Sequence, residues 1–523
     1  MSLIQALQNP ALYDHPIDRF EVIETHISWV LLTGEYVYKI KKPVDFGFLD
    51  FSTLEKRHHY CDEELRLNQR LAPQLYLEVV AITGSEEQPR LNGPGEPIEY
   101  AIKMRQFPQS AQLDRMLAAG KLDRSIIDRL ADKVAQFHLS IKSVDADSPL
   151  GDVEHLKRPM LENFTQIREA VDEADVMPTL EALEQWTRLQ FLELAPIIAE
   201  RKADGFVREC HGDMHLRNIA LWQDAITIFD CIEFNPNLYW IDVISEIAFL
   251  IMDLEDREQE ALAQRFLNRY LEITGDYHGL RLLQFYKVYR AMVRAKVDAL
   301  RLKQEGEQEQ AGSSEYEQTF SEFHQYLLLA ERYIRPPRPM LLINYGLSGS
   351  GKSVTTRQLA EALPAIQLRS DIERKRLFKA PPFGIASVDR EMLYSAEAHN
   401  RTYDRLVDIA RGLLRAGYTV IVDAANLHKE RRQQFVELAE SMRVPHLVLA
   451  FQAEEAILKQ RVAQRARTKE DVSDATETVL QQQLADHEPI SEDEQAYTIF
   501  IDTGGEIDIN AIVKRVRNKN ARQ

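Results

Sequence analysis

The chain has 523 residues, 45% of them hydrophobic and 28% charged, which is too long for one ordinary core and excludes a disordered or fibrous protein. Its net charge of −18 is lopsided: residues 338–523 hold 27 Lys and Arg against 26 Asp and Glu, so the acidic excess lies in residues 1–337 and argues against nucleic acid as a partner of that part. Three cysteines without a C-x-x-C pair exclude a disulfide framework and suit a reducing cytoplasm, and without a basic, apolar leader or an apolar run of ~18 residues neither a signal peptide nor a membrane span is expected.

From the N-terminus, residues 20–42 and 75–107 carry alternating or β-branched patterns, as in HISWVLLTGEYVYKI, and predict a small sheet. Ser52 to Leu71, between them, reads as a helix. Residues 122–202 and 241–303 are mostly helical in pattern, with a short strand around Ile226 to Phe229 between them. The most apolar stretch, Ile241 to Leu254, is broken by Asp242, Glu246 and Asp253 and reads as a buried helix. A sheet first and helices afterwards is the α+β order of a two-lobed domain.

Gln304 to Glu317 is polar and without apolar period, which predicts an exposed loop. The helical pattern that follows stops at Arg335-Pro336-Pro337-Arg338-Pro339, because proline lacks the N–H and restricts its predecessor. The expected organisation is a domain over residues 1–335, a proline-rich linker at 336–340 and a second domain over 341–523. In that second part short apolar runs, Met340 to Tyr345, Tyr418 to Val422, His446 to Phe451 and Tyr497 to Ile501, alternate with helical segments. That order predicts an α/β domain with a doubly wound parallel sheet.

Two constellations carry chemistry. In His211-Gly212-Asp213-Met214-His215-Leu216-Arg217-Asn218, Asp213 can accept the proton of an acceptor hydroxyl, while Asn218, five residues on, coordinates Mg2+. Asp230, after the apolar run Ala225 to Phe229, delivers a carboxylate to the same metal. His215 reads as a residue that positions the loop, and His138 as a packed helix residue.

The second constellation, Gly346-Leu347-Ser348-Gly349-Ser350-Gly351-Lys352-Ser353, satisfies G-x-x-x-x-G-K-[ST] between an apolar strand and a helical segment, Thr355 to Leu363. Backbone N–H groups of Gly346, Ser348, Gly349, Ser350, Gly351, Lys352, Ser353 and Val354 are expected to cradle the phosphates of ATP. Lys352 reaches the β- and γ-phosphates and Ser353 ligates Mg2+. Asp423, ending an apolar strand, stands where a carboxylate approaches that metal, and Asp371 can deprotonate an acceptor hydroxyl; a helix cap is the rival reading of each. Arg461, Arg465 and Arg467 can stabilise the charge of a transferring phosphoryl group, or form a solvated helix face.

The first constellation, continued by Asp230-Cys231-Ile232-Glu233, resembles the aminoglycoside phosphotransferase and choline kinase family, distant relatives of protein kinases, over about residues 20–300. The resemblance implies a bilobal, protein-kinase-like fold. It also implies Lys39 as the phosphate-binding lysine, Glu64 or the adjacent Glu63 as its salt-bridge partner, and an adenine-binding hinge after Tyr100 to Phe107. A G-x-G-x-x-G loop is missing, and Lys41 and Lys42 leave a solubilising strand-edge lysine as the rival reading of Lys39.

The P-loop, with Arg369-Ser370-Asp371-Ile372-Glu373-Arg374, Val420 to Asn426 and Ser473-Asp474-Ala475, resembles the P-loop kinases that include zeta toxins and polynucleotide 5′-hydroxyl kinases, over about residues 340–500. That resemblance implies Asp371 as the base and Arg374 as a contact to phosphate. The resulting expectation is two ATP- and Mg2+-dependent kinase domains acting on small-molecule hydroxyls, the N-terminal one on a sugar, aminosugar or amino-alcohol. Two alternatives stand beside it: one domain is a regulatory ATP-binding module, or the C-terminal domain phosphorylates nucleotide or polynucleotide 5′-hydroxyls. The near-neutral charge of residues 338–523 weighs against polynucleotides. The sequence carries no signal for oligomeric state.

Overall fold

The alternation in the first hundred residues resolves into six strands: β1 Glu21–Glu24, β2 Ser28–Leu32, β3 Tyr36–Lys41, β4 Tyr76–Gly84, β5 Pro89–Leu91 and β6 Pro97–Arg105. A computed structural model describes residues 2–47, 49–171, 173–307, 313–378, 395–468 and 476–520. The six strands form an antiparallel sheet in the order β1-β2-β3-β6-β4-β5. β3 is therefore an interior strand, and its side chains divide by parity. Tyr38 and Ile40 join Leu31, Val80 and Ile82 in the core on one face. Lys39 and Lys41 turn to the other, toward α1 (Leu54–Gln69), which starts at Thr53 with its hydroxyl accepting from Lys56 N at 3.3 Å.

The helices that follow are α2 Arg124–Ser140, α3 Val153–Ala170 and α4 Met177–Ala203. Two short pieces of sheet come next: β7 Val207–Glu209 pairs with β10 Trp240–Asp242, and β8 Ile219–Trp222 forms a hairpin with β9 Ala225–Ile228. α5 Val243–Asp256, α6 Glu260–Thr274, α7 Leu280–Glu307 and α8 Ser314–Tyr333 complete the series. Part of the expected loop at 304–317 is thus helix, because Glu and Gln are good helix formers even where no apolar stripe marks them; residues 308–312 lie outside the described residues.

Contacts divide the chain into two units, residues 1–253 with 285–331, and residues 254–284 with 332–523. The prolines at 336–339 lie just beyond the last crossing, whereas residues 254–284 join the second unit out of chain order. That unit holds a five-stranded parallel sheet of β11 Leu341–Tyr345, β12 Ala365–Arg369, β13 Thr419–Asp423, β14 His446–Gln452 and β15 Thr498–Asp502, in the order β12-β13-β11-β14-β15. Its helices are α9 Lys352–Ala362, α10 Ser370–Leu377, α11 Ala396–Arg415, α12 Lys429–Ser441, α13 Glu455–Thr468, α14 Glu477–Asp486 and α15 Ile509–Asn520. The strand order reverses at β11, so the loop leaving its C-terminal end sits at the topological switch point, where open α/β sheets bind ligands.

β12 is an edge strand, and α6 closes it. Asn268 accepts from Gln367 N at 2.8 Å and donates to Ala365 O at 3.0 Å, in the manner of a neighbouring strand, and Gln264 donates to the same carbonyl at 2.7 Å. The edge is thereby capped by side chains.

Candidate active sites

The loop between β7 and β8 carries His211 to Asn218, and buried acids on α5 hold it from beneath. Glu246 Oε1 accepts from His211 N at 2.8 Å and Gly212 N at 2.7 Å, while its other oxygen meets His138 Nε2 at 2.9 Å. Asp253 accepts from Leu216 N at 2.8 Å. Asp242 takes two hydrogen bonds from Arg201, at 2.7 and 2.9 Å. On the opposite side Arg290 of α7 donates to Gly212 O at 3.1 Å. Both peptide faces before Asp213 are therefore fixed by side chains.

Asp213 is met by His215 Nε2 at 3.3 Å and by Asn218 Nδ2 at 2.9 Å. Burial opposes its ionisation, but His215, His211 and Arg294 together hold its carboxyl below the usual range, so it is a carboxylate at neutral pH. Asn218 is committed to Asp213 through its amide nitrogen. The β8–β9 hairpin brings Asn218 and Phe229 face to face, with Phe229 N donating to Asn218 O at 2.9 Å, so Asp230 emerges beside Asn218. Asp230 adopts φ +62°, a left-handed conformation uncommon for a residue other than glycine and one that tends to mark functional sites.

Lys39 Nζ donates to Glu64 Oε1 and to Asp230 Oδ1, both at 2.8 Å, while Glu63 turns outward to Arg66. Glu64 is therefore the partner of Lys39. Burial works against the Lys39 ammonium, yet Asp230 and Glu64 raise its pKa well above the ordinary lysine value. Lys41, only 1% exposed, also reaches Glu64, at 2.6 Å, and reaches Glu233 as well. Glu64 is held down to about 2, its two lysines overcoming its burial, whereas burial, with the nearby Glu64 charge, pushes Glu233 up to about 7 against the pull of Lys41. His138, Cys210 and Glu246 lie close enough to suggest a metal centre, but the hydrogen bonds of Glu246 already occupy it.

In the second unit the glycines of the P-loop are required by shape. A Cβ on Gly346 would lie 2.8 Å from Phe451 O, and one on Gly349, at φ +83°, 2.7 Å from Leu458 O. Gly351, also left-handed, opens α9 at Lys352. Lys352 Nζ lies over the loop, donating to Gly346 O at 2.7 Å and Leu347 O at 2.8 Å. Among the other residues of the expected cradle, Ser348 N donates to Gln483 Oε1 at 2.9 Å, Ser350 is buried and Val354 is exposed. Ser353 O accepts from Gln367 Nε2 at 3.4 Å.

Asp423 stands at the end of β13, next to β11, accepting from Asn344 Nδ2 at 3.2 Å and from Gln367 Nε2 at 2.8 Å. Asp371 is in the first turn of α10, with Arg374 Nη1 at 3.2 Å. Arg461 donates to Thr503 O at 2.7 Å and Gly349 O at 3.4 Å, which ties the P-loop to the segment after β15. The side chains of Arg465 and Arg467, and residues Ser473 to Ala475, lie outside the described residues.

Residues 29–283 match the phosphotransferase enzyme family. Residues 341–490 match the AAA domain model, so the two candidate sites fall in two separately matched, kinase-type segments. Proteins of Mycobacterium tuberculosis and Mycobacterium bovis, both uncharacterized, are 29% identical over 476 residues, 90% of this chain and 92% of theirs. Among solved structures, choline kinase from Cryptosporidium parvum is 13% identical with a TM-score of 0.38, covering 63% of this chain and 94% of that one. A putative kinase from Chloroflexus aurantiacus is 20% identical with a TM-score of 0.29, covering 35% of this chain and 96% of that one.

In the phosphotransferase-family segment, sequence reasoning missed the supports rather than the loop. Lys41 entered only as a neighbour that favoured a strand-edge reading of Lys39, although its two-residue spacing from Lys39 places both on one face of β3. Glu246 and Asp253 were visible as acids interrupting an apolar helix, and such an acid needs a buried partner. Arg290, just beyond that segment, and Gln367, in the second unit, gave no comparable signal.

Proposed function

We propose that each unit is an ATP- and Mg2+-dependent phosphotransferase with a small-molecule hydroxyl as acceptor. The observation that carries the reading for the first unit is the run of contacts Glu64 to Lys39 to Asp230, which joins the sheet lobe to the end of the β8–β9 hairpin. Lys39 neutralises nucleotide phosphate, Glu64 fixes its direction, and Asp213, kept ionised, accepts the proton of the attacking hydroxyl. The fit to a cation rests on the donor set, since the Asn218 amide oxygen and the Asp230 carboxylate are hard oxygen ligands on adjoining strand ends. Bound Mg2+ would neutralise charge building on the phosphates.

In the second unit the fit to nucleotide rests on the cradle that a Cβ at Gly346 or Gly349 would fill. Lys352 follows the phosphates, Ser353 and Asp423 supply the oxygens for Mg2+, Asp371 acts as base and Arg374 contacts phosphate. Arg461 acts through the loop backbone as a positioning residue.

Asp213→Ala and Lys352→Ala test this as a pair. Each is expected to remove a separable share of ATP turnover by the full chain, in assays with amino-sugars, sugars, amino-alcohols and nucleosides. If either variant abolishes all turnover, or neither changes it, two independent catalytic sites are wrong.

A further inference from the structure

Arg431, in the first turn of α12, is partly buried, and its partners are neutral. It donates to Asn400 Oδ1 and to Gln434 Oε1, the latter at 3.4 Å, and its guanidinium lies 4.9 Å from the Tyr403 ring centroid. Among the described residues it meets no carboxylate. Tyr403 is itself buried on α11, its hydroxyl accepting from Asn426 N at 3.4 Å, just past the β13 end that carries Asp423. α10, which carries Asp371 and Arg374, is tied to α11 by Arg405 Nε donating to Glu373 Oε2 at 2.7 Å, and the charges of Arg374, Arg431 and Asp371 are felt at Tyr403.

His399 stacks on the same ring at 4.8 Å, tilted by 40°. Burial, and then the charges of Arg374, Arg431 and His428, push it down to about 4, so this imidazole is neutral at pH 7 and relieves none of the positive charge. His428 differs, having Asp486 at 3.5 Å and Glu488 at 4.0 Å. What remains on the Tyr403 ring is a guanidinium held by two neutral amides. A carboxylate or phosphate adds opposite charge and a bidentate match to the guanidinium fork, neither of which an amide oxygen offers, so an anion outcompetes these partners.

We propose that the acceptor of the second unit carries an anionic group, carboxylate or phosphate, which binds Arg431 while its hydroxyl is presented to Asp371. This rests on the reading of that unit as a phosphotransferase and adds the charge class of its substrate. A compound with one such group suits a surface of near-neutral charge, which a polynucleotide backbone does not.

The test uses the full chain with Asp213→Ala, in saturating non-hydrolysable ATP analogue and Mg2+, titrated calorimetrically with two series: glycerol, glycerate and glycerol 3-phosphate, and a six-carbon alditol, its aldonate and its monophosphate. The two anionic arms separate carboxylate from phosphate as the source. At least one anion is expected to bind about tenfold or more tightly than the neutral member of its series, and Arg431→Gln to erase that preference while leaving neutral binding alone. Arg431→Lys, which keeps charge but loses the planar fork, should retain part of the preference, and matching thermal melts show that each variant is folded. Equal binding of neutral and anionic members, preference that survives Arg431→Gln, or no binding by any anion at ~10 mM overturns the proposal. With ATP in place of the analogue, anion binding without transfer of the γ-phosphate would instead remove the phosphotransferase reading and leave the anion site standing, and transfer to neutral alcohols regardless of Arg431 would do the reverse.

Discussion

Glu246 shows how far one side chain can determine a site it does not enter. It accepts two backbone N–H groups of the loop before Asp213 and pairs with His138, all out of water. Glu246→Ala leaves two buried donors without partners, at ~1–3 kcal/mol each, and frees the loop. The expected result is a loss of ~2–5 kcal/mol in denaturant stability of the first unit, with turnover that depends on Asp213 falling and turnover that depends on Lys352 retained. A second residue-scale outcome concerns pH. Glu233, raised to about 7 from an ordinary value near 4.5, keeps its proton in the folded state over a range where the unfolded chain has lost it. Its contribution is therefore fully present below about 4.5 and is lost as pH rises through about 7, a change of up to ~3 kcal/mol. Glu233→Gln should flatten the difference: subtracting its stability from that of the parent between pH 5 and 8 should give a curve falling with pH, and a rising or flat curve would contradict the assignment.

At the scale of elements, β12 depends on α6. Asn268 satisfies Gln367 N and Ala365 O at the sheet edge, and Gln367 in turn holds Asp423. Asn268→Leu keeps the volume but leaves Gln367 N without its partner, while Ala365 O keeps Gln264, so the second unit should lose ~1–3 kcal/mol, read as a lowered melting temperature. Nucleotide-dependent stabilisation should weaken with it, since Gln367 shifts. Most elements were legible beforehand because their periods are strong: alternation in β3 and β6, and short apolar runs in β11, β13 and β14. The P-loop and the His211 to Asn218 loop were legible because their chemistry fixes residue types at fixed spacing. The edge role of α6 was not, because an Asn on a helix looks the same in sequence whether it faces water or replaces a strand. The helical start at Ser314 was hidden for a related reason, its polar residues favouring helix without marking a buried face.

For the whole molecule, the decisive fact is that the chain passes between its units three times, after Asp253, Gln284 and Glu331. A cut at the prolines separates motifs but not units. A fragment of residues 1–335 would keep α6 without β12, leaving Gln264 and Asn268 without the backbone groups they meet in the full chain. A fragment of residues 341–523 would lose the helix that closes its sheet edge. Expressed alone, both are expected to aggregate or melt without a cooperative transition, whereas residues 254–523 should retain the contacts of the second unit and melt cooperatively. Calorimetry of the three fragments beside the full chain checks this. If residues 341–523 alone unfold cooperatively at the temperature of the corresponding transition in the full chain, α6 is an accessory whose hydrogen bonds to β12 add nothing to the stability of the second unit.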